Sequence, residues 1–275
     1  MENLNEYIGN IFTYSFMTRA FIAGSLISLC AALLGVILVL KRFSMIGDGL
    51  SHLGFGTVAI ALALNLSPLF ISLPVSIISA ILLLKVSGNS SVKGDALVAI
   101  ISTSAMAIGI TVTTLTSGLN TDINAYMFGS ILAIGKEDVW VSIILALIVI
   151  PSFFIFYHRI FAVTFDETFA HSSGIKTKAY NTFIAVLTAC TVIIGMRLIG
   201  ALMISSLIIF PPLSSMRIFK SFFKVVISSA VISVFCFGAG IIISFYASTP
   251  AGASIVLVHL GVFLISIIAG KITKR

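Results

Sequence analysis

The chain has 275 residues, of which 59% are hydrophobic and only 9% are charged. Soluble domains carry about 25% charged residues, so this composition excludes a soluble globular protein. Long apolar runs, rather than short alternating segments, predict an all-α, polytopic helical membrane protein instead of a membrane β-barrel. The net charge of +7 could indicate nucleic-acid binding, but the placement of the basic residues indicates membrane topology.

Hydropathy predicts about eight or nine transmembrane helices within one domain, residues 1–275. The first residues, 1–15, contain two glutamates and no basic residue, so we expect an outer segment and not a cleaved signal peptide. The candidate crossings, in chain order, are 16–40, 48–64, 68–84, 95–118, 139–157, 179–196, 198–213, 225–246 and 253–270.

Three stretches interrupt this simple pattern. Residues 126–132 are too short to span and predict a short helix at the outer face. Residues 179–216 must cross the membrane twice in a short length, so one of the two passes could be a half-helix. The dipeptide Pro211-Pro212 is predicted to end the seventh run, because proline cannot continue the hydrogen-bond ladder of a helix.

The basic residues are distributed unequally between the two ends of these crossings. Thirteen of the sixteen lie on one side, and only Arg19, Lys136 and Arg197 lie on the other. The positive-inside rule therefore predicts a cytoplasmic C-terminus and an outer N-terminus. The longest cytoplasmic segments are then 159–178 and 212–224, and both are candidate docking surfaces because they are rich in charged and aromatic residues.

An acid and a histidine lie four residues apart in the stretch 44–56, between two long apolar runs. On a helix, Asp48 and His52 share a face, with Cβ atoms roughly 5–6 Å apart. Ionisable residues inside a membrane are costly and usually functional. Carboxylate oxygen and neutral imidazole nitrogen bind Zn²⁺ and also suit Mn²⁺, so the pair predicts a transient metal site. Asp48 as a helix N-cap, and His52 as a hydrogen-bonded core residue, are the alternative interpretations.

His259 is the other histidine well inside an apolar run. It could be a further metal ligand, or a core histidine whose hydrogen bonds are satisfied locally. The sequence contains no H-E-x-x-H, P-loop or G-x-S-x-G motif, so we do not expect an enzyme. If transport is active, its energy must come from another subunit or from an ion gradient.

Basic and aromatic residues alternate after the proline pair, at Arg217, Phe219, Lys220, Phe222, Phe223 and Lys224. One interpretation is an anchor at the inner leaflet, where both residue types accumulate. The other is a short helix that fits a groove on a cytoplasmic partner.

Four stretches resemble the permease subunits of ATP-binding-cassette (ABC) importers for zinc and manganese, the ABC-3 type of metal permease. They are residues 45–52, 124–132, 165–175 and 200–211, and they follow the order of that family. The resemblance implies a homodimer with two cytoplasmic ATPase subunits and an outer metal-binding receptor. It also implies a bacterial cell membrane location and a metal ion as cargo, with no cofactor.

The resemblance carries over to individual residues. Asp48 and His52 match the acid and histidine of the family's translocation path. The segment 212–224 matches the ATPase-coupling helix, and its candidate contact residues are Met216, Arg217, Phe219 and Lys220.

The cargo is less narrowly defined than the family. The stretch 16–22 resembles zinc-type members, which favours zinc over manganese. A permease of similar architecture for a metal chelate, such as a siderophore or cobalamin, is one alternative. A stand-alone secondary transporter with Asp48 and His52 as a proton relay is another.

Overall fold

The structure is a computed structural model that describes residues 13–87, 94–116, 129 and 134–273. These ranges contain helices and no strand, which confirms the all-α class. The short outer helix expected over residues 126–132 lies outside them, apart from Gly129. The helices are α1 (Ser15–Leu40), α2 (Ile46–Ala63), α3 (Pro68–Ser87), α4 (Gly94–Leu115), α5 (Lys136–Ile155), α6 (Tyr157–Phe165), α7 (Glu167–Ser172), α8 (Thr177–Ile199), α9 (Ala201–Ile218), α10 (Phe222–Ala247) and α11 (Ala251–Thr273).

Eight helices in the described ranges are long and apolar enough to cross a membrane, namely α1, α2, α4, α5, α8, α9, α10 and α11. The helix α3 begins at Pro68, a position that proline favours because the first helical N–H has no partner. Its apolar part, Pro68–Leu83, is shorter than the other eight. The prediction of about eight or nine transmembrane helices is therefore confirmed.

Four helices, α1, α2, α8 and α9, form the centre of the bundle. Most of their side chains are buried, and they supply most of the main apolar cluster, including Leu34, Leu50, Met196 and Met203. In the helices α4, α5 and α11, fewer than a third of the residues are buried, as expected of helices that face lipid. The centre of the bundle therefore contains the helices that carry residues 48, 52 and 200–211.

The prediction that Pro211-Pro212 ends the seventh run is wrong, because α9 continues through both prolines to Ile218. Pro212 lacks the N–H that would bond to the carbonyl of Ile208. That carbonyl oxygen lies directly against Gly35 of α1, where a Cβ atom would overlap it. The backbone of a neighbouring helix thus covers the freed carbonyl, which is how packed membrane helices tolerate proline.

The continuation of α9 also changes the description of residues 212–224. The last turns of α9 and the first turn of α10, which starts at Phe222, occupy almost all of this segment. Only residues 219–221 lie between the two helices. The segment therefore does not form a separate short helix.

We expect Gly35→Ala to destabilise the protein, because its Cβ would overlap a backbone atom that cannot move aside as a flexible side chain can. Overpacking of this kind costs about 1–3 kcal/mol, which corresponds to a fall in melting temperature of roughly 2–10 °C. The matched control is Gly261→Ala in α11, where a Cβ would meet no atom of the described residues within 4 Å. Unfolding can be followed in detergent through the reactivity of the buried thiols of Cys30 and Cys236. Equal melting temperatures for the two variants would contradict this account of α1–α9 packing.

Candidate metal site

The glycines of α2 determine which of its sides contact neighbouring helices. Gly49 and Gly56 face α4, and the other two glycines of the stretch face α9 and α8. Because an α-helix has 3.6 residues per turn, residues 48 and 52 lie on the side between these two contacts. Close packing on two sides therefore directs Asp48 and His52 to the third side.

Asp48 and His52 lie close to each other and to one residue of α9. The Asp48 Oδ1 atom is 3.6 Å from the His52 Nε2 atom. The hydroxyl of Ser205 donates a hydrogen bond of 3.1 Å to the same Oδ1 atom. Met45 is the N-cap residue of α2 and makes no side-chain capping bond. Asp48 is therefore not the helix cap, and its carboxylate is directed at α9.

The pair lines a pocket of about 330 Å³. The Asp48 side chain is 36% exposed and the His52 side chain 23% exposed, so neither is sealed within the single chain. The lining residues come from α2, α9 and α11 and are Asp48, His52, Ala201, Leu202, Ser205, Ser206, Ile209, Phe210 and Val256. Most of this lining is apolar, and its polar side chains are those of the pair and of the two adjacent serines.

His259 is not one of the residues that line this pocket. Its side chain is buried, and its Nδ1 atom lies 2.9 Å from the Ile255 carbonyl oxygen one turn earlier. Among the described residues, its Nε2 atom has no hydrogen-bond partner. The ring of Phe210, which does line the pocket, has its centroid 6.5 Å from that of the imidazole. The structure thus places His259 behind Phe210 rather than beside Asp48.

One chain supplies few ligands to this site. The described part of the chain holds no group of three or more His, Cys, Asp and Glu residues that could bind a metal ion. The third polar group beside the pair is the hydroxyl of Ser205. The sequence analysis gave Ser205 no role, although the two adjacent serines in the otherwise apolar stretch 200–211 were a usable signal.

The two cytoplasmic segments predicted from the sequence form one surface, because both pack around Phe222. The buried ring of Phe222 has its centroid 5.4 Å from that of Tyr157, 5.3 Å from that of Phe161 and 5.8 Å from that of Phe165. These contacts hold α6 against the start of α10. Segments 159–178 and 212–224 are therefore neighbours in the fold.

The four predicted coupling residues divide into two kinds. Met216 and Phe219 are partly buried and pack against the apolar cluster beneath this surface. Arg217 and Lys220 are exposed. Only the two basic residues therefore have side chains that are largely free to contact another protein.

Exposed aromatic residues on α6 and α7 were not singled out from the sequence. Phe165 is 57% exposed and Phe169 is 66% exposed, and Phe161 is also exposed. We call these three residues the aromatic face. Exposed apolar patches rimmed by polar residues often mark interaction sites. The pattern of one phenylalanine every four residues over 161–169 was the available signal.

Residues 13–270 match the family model described as the ABC 3 transport family. The chain belongs to this family. The resemblance to permease subunits of zinc and manganese ABC importers is thereby confirmed, as is the expectation of a membrane protein.

Relatives and a solved structure agree with this membership. The chain is 32% identical to the high-affinity zinc uptake system membrane protein ZnuB of Buchnera aphidicola, over 89% of this chain and 94% of that protein. It is 27% identical to the manganese transport system membrane protein MntC of Halalkalibacterium halodurans, over 97% of this chain and 91% of that protein. PsaBC from Streptococcus pneumoniae, solved in complex with a Fab, is similar at a TM-score of 0.85 and 25% identity, over 96% of this chain and 95% of the matched chain.

In this ABC 3 family member, a partly buried lysine connects α7 to the bundle. Lys41, at the C-terminal end of α1, is 3.6 Å from Glu167 of α7 and donates a 2.6 Å hydrogen bond to Asn181 of α8. Asn181 in turn donates to Glu167 over 2.9 Å. Burial lowers the pKa of Lys41 below its ordinary value, and the Glu167 carboxylate opposes part of that effect. The three side chains thus form a closed network.

We expect Glu167→Gln to lower the melting temperature, because the partly buried Lys41 ammonium would lose its counter-charge. Glu167 is half exposed, so the effect is about 1 kcal/mol, or roughly 2–4 °C. The double variant with Lys41→Met is expected to recover part of this loss, and Glu137→Gln, an exposed acid of α5, is the control. Additive effects of Glu167→Gln and Lys41→Met in this cycle would show that the pair contributes no coupling energy.

Proposed function

We propose that the chain is the permease subunit of an ATP-driven importer of divalent transition-metal ions, and that Asp48 and His52 bind the ion transiently during its passage. The proximity of this acid and imidazole in an accessible pocket of an ABC 3 family member is the observation that carries the proposal. Relatives named for zinc and for manganese transport support the class of cargo. In this proposal the chain is one permease domain and is not itself an enzyme.

The spacing of the pair suits one bound ion. Ligand atoms about 2.1 Å from a tetrahedral zinc ion lie roughly 3.4 Å from each other. The Asp48 Oδ1 and His52 Nε2 atoms are 3.6 Å apart, so a small side-chain movement would bring both into contact with one ion. Two such ligands bind an ion weakly enough for it to leave, as transport requires.

A second copy of the chain would complete this site. One chain offers an acid, an imidazole and a hydroxyl, and the pocket that holds them is open to the surface of the single chain. A homodimer that joined two such pockets would double the number of ligands along its axis. We therefore include the homodimer in the proposal, with His259 as a ligand only if Phe210 moves aside.

The proposed orientation places one end of the bundle in the cytoplasm of a bacterial cell. That end holds the C-terminus and residues 41, 157–176 and 218–222. Support comes from the excess of basic residues at that end. The ATPase subunit would then dock on the aromatic face and on Arg217 and Lys220. A metal-binding receptor would deliver the ion to the opposite, outer end.

We expect Asp48→Asn and His52→Ala each to reduce metal uptake by tenfold or more, since each removes one of two ligands. Labelled zinc and manganese are supplied to cells that lack their own high-affinity importers and express the chain with its ATPase and receptor. Glu137→Gln and His158→Ala, which change an exposed acid and an exposed imidazole elsewhere, are matched controls.

The same uptake assay separates the alternatives. Normal uptake by both site variants, at equal membrane levels, would refute the proposed site. Competition between the two ions tests the preference for zinc, which rests on the resemblance of residues 16–22 to zinc-type members. Uptake that continues without ATP would indicate a secondary transporter, and uptake restricted to a chelated metal would indicate a chelate permease.

We expect Phe169→Ser to reduce the amount of ATPase subunit that co-purifies with the chain, because it removes apolar surface from the proposed contact. Trp140→Ser is the matched control, since Trp140 is also 66% exposed but lies on α5, at the other end of the bundle. Equal recovery of the ATPase with both variants would exclude the aromatic face as its docking surface.

A further inference from the structure

Ser205 has two possible hydrogen-bond acceptors and a single proton. Its Oγ atom is 3.1 Å from the Asp48 Oδ1 atom and 3.1 Å from the Ala201 carbonyl oxygen. A hydroxyl donates one hydrogen bond and keeps two lone pairs. When the proton is directed to Ala201, the Ser205 oxygen is left with lone pairs that can bind a cation held by Asp48.

The next residue provides a comparison within the same pocket. Ser206 also lines the pocket, but it is buried and its hydroxyl donates to the Met203 carbonyl oxygen over 2.8 Å. Ser205 is only partly buried and has a partner on a second helix. Of these two adjacent hydroxyls, only that of Ser205 is placed against the carboxylate.

We propose that Ser205 is a direct oxygen ligand of the transported ion and that it sets the preference between manganese and zinc. This inference rests on the proposed function of Asp48 and His52. When the ion binds, it is coordinated by the Asp48 oxygen in place of the Ser205 hydrogen bond. The hydroxyl proton of Ser205 is then directed to the Ala201 carbonyl, and the Ser205 oxygen coordinates the ion. No proton leaves the site in this step.

Distances around Asp48 agree with this assignment. Two ligands at right angles on an ion, each about 2.2 Å from it, lie roughly 3.1 Å apart. That is the separation of the Ser205 Oγ and Asp48 Oδ1 atoms. The Ser205 oxygen can therefore join the coordination shell without a movement of α9.

A hydroxyl ligand affects the two ions unequally. Zinc is satisfied by four ligands and accepts nitrogen and sulfur. Manganese prefers six ligands and hard oxygen donors. Loss of the Ser205 oxygen should therefore weaken manganese binding more than zinc binding, and replacement by sulfur should favour zinc.

The test measures the affinities of the purified permease–ATPase complex for manganese and zinc by competition with a fluorescent chelator. We expect Ser205→Ala to weaken manganese binding about tenfold or more and zinc binding about threefold or less. Ser205→Cys should weaken manganese binding and strengthen zinc binding. Ser206→Ala should bind both ions as the wild type does.

A cobalt-loaded sample reports direct ligation. A thiolate bound to Co²⁺ gives an intense near-ultraviolet charge-transfer band, so Ser205→Cys should show this band and Ser206→Cys should not. Both variants keep the native Cys30, Cys190 and Cys236, so the difference between them isolates the new thiol.

The outcomes that oppose the inference are distinct from a failure of the proposed function. If Ser205 only positioned Asp48, Ser205→Ala would weaken the binding of both ions equally. Ser205→Cys would then show no cobalt–thiolate band. Either result would overturn the ligand assignment. Asp48→Asn serves as the reference, because unchanged affinity in that variant would refute the Asp48–His52 site itself.

Discussion

The molecule must keep a carboxylate and an imidazole together inside an apolar helix bundle, and the packing around α2 follows from this constraint. Charged or polar side chains at membrane depth are costly unless they have partners or water. The glycines of α2 let α4, α8 and α9 approach on two sides, where larger residues would hold these helices away. The third side of α2 is thereby left for Asp48 and His52, beside the hydroxyl of Ser205.

The proline pair of α9 depends on the same kind of close packing. In water, a mid-helix proline leaves a carbonyl to the solvent and usually kinks or ends the helix. Here the carbonyl of Ile208, which Pro212 leaves without its helical donor, is covered by Gly35 of α1. The helix therefore continues, and α1 is held against the helix that carries Ser205.

Much of the fold could be predicted from the sequence, because in a membrane the length of an apolar run nearly determines the helix that it forms. The pairing of Asp48 with His52 was predictable for a similar reason, since helical periodicity alone places them on one face. The continuation of α9 was not predictable from propensity, because Gly35 lies far away in the sequence. The same holds for Ser205 as a neighbour of Asp48. It also holds for the partial burial of Met216 and Phe219, because the cluster that they pack against is built from α1, α5, α6, α8 and α10.

The contacts that join the α6–α7 end of the bundle to the candidate site run through short helical segments. Glu167 of α7 contacts Lys41, and Gly35 lies six residues before Lys41 on the same helix, against Ile208. Ile208 is three residues from Ser205, which reaches Asp48. Helical segments of this length move as units, since they are fixed by their own backbone hydrogen bonds. The Ser205–Asp48 bond is 3.1 Å long, and a hydrogen bond is lost beyond about 3.5 Å. A displacement of α9 by roughly 1 Å would therefore break this bond between α9 and α2, so the place of Ser205 beside Asp48 depends on the packing of α9 against α1.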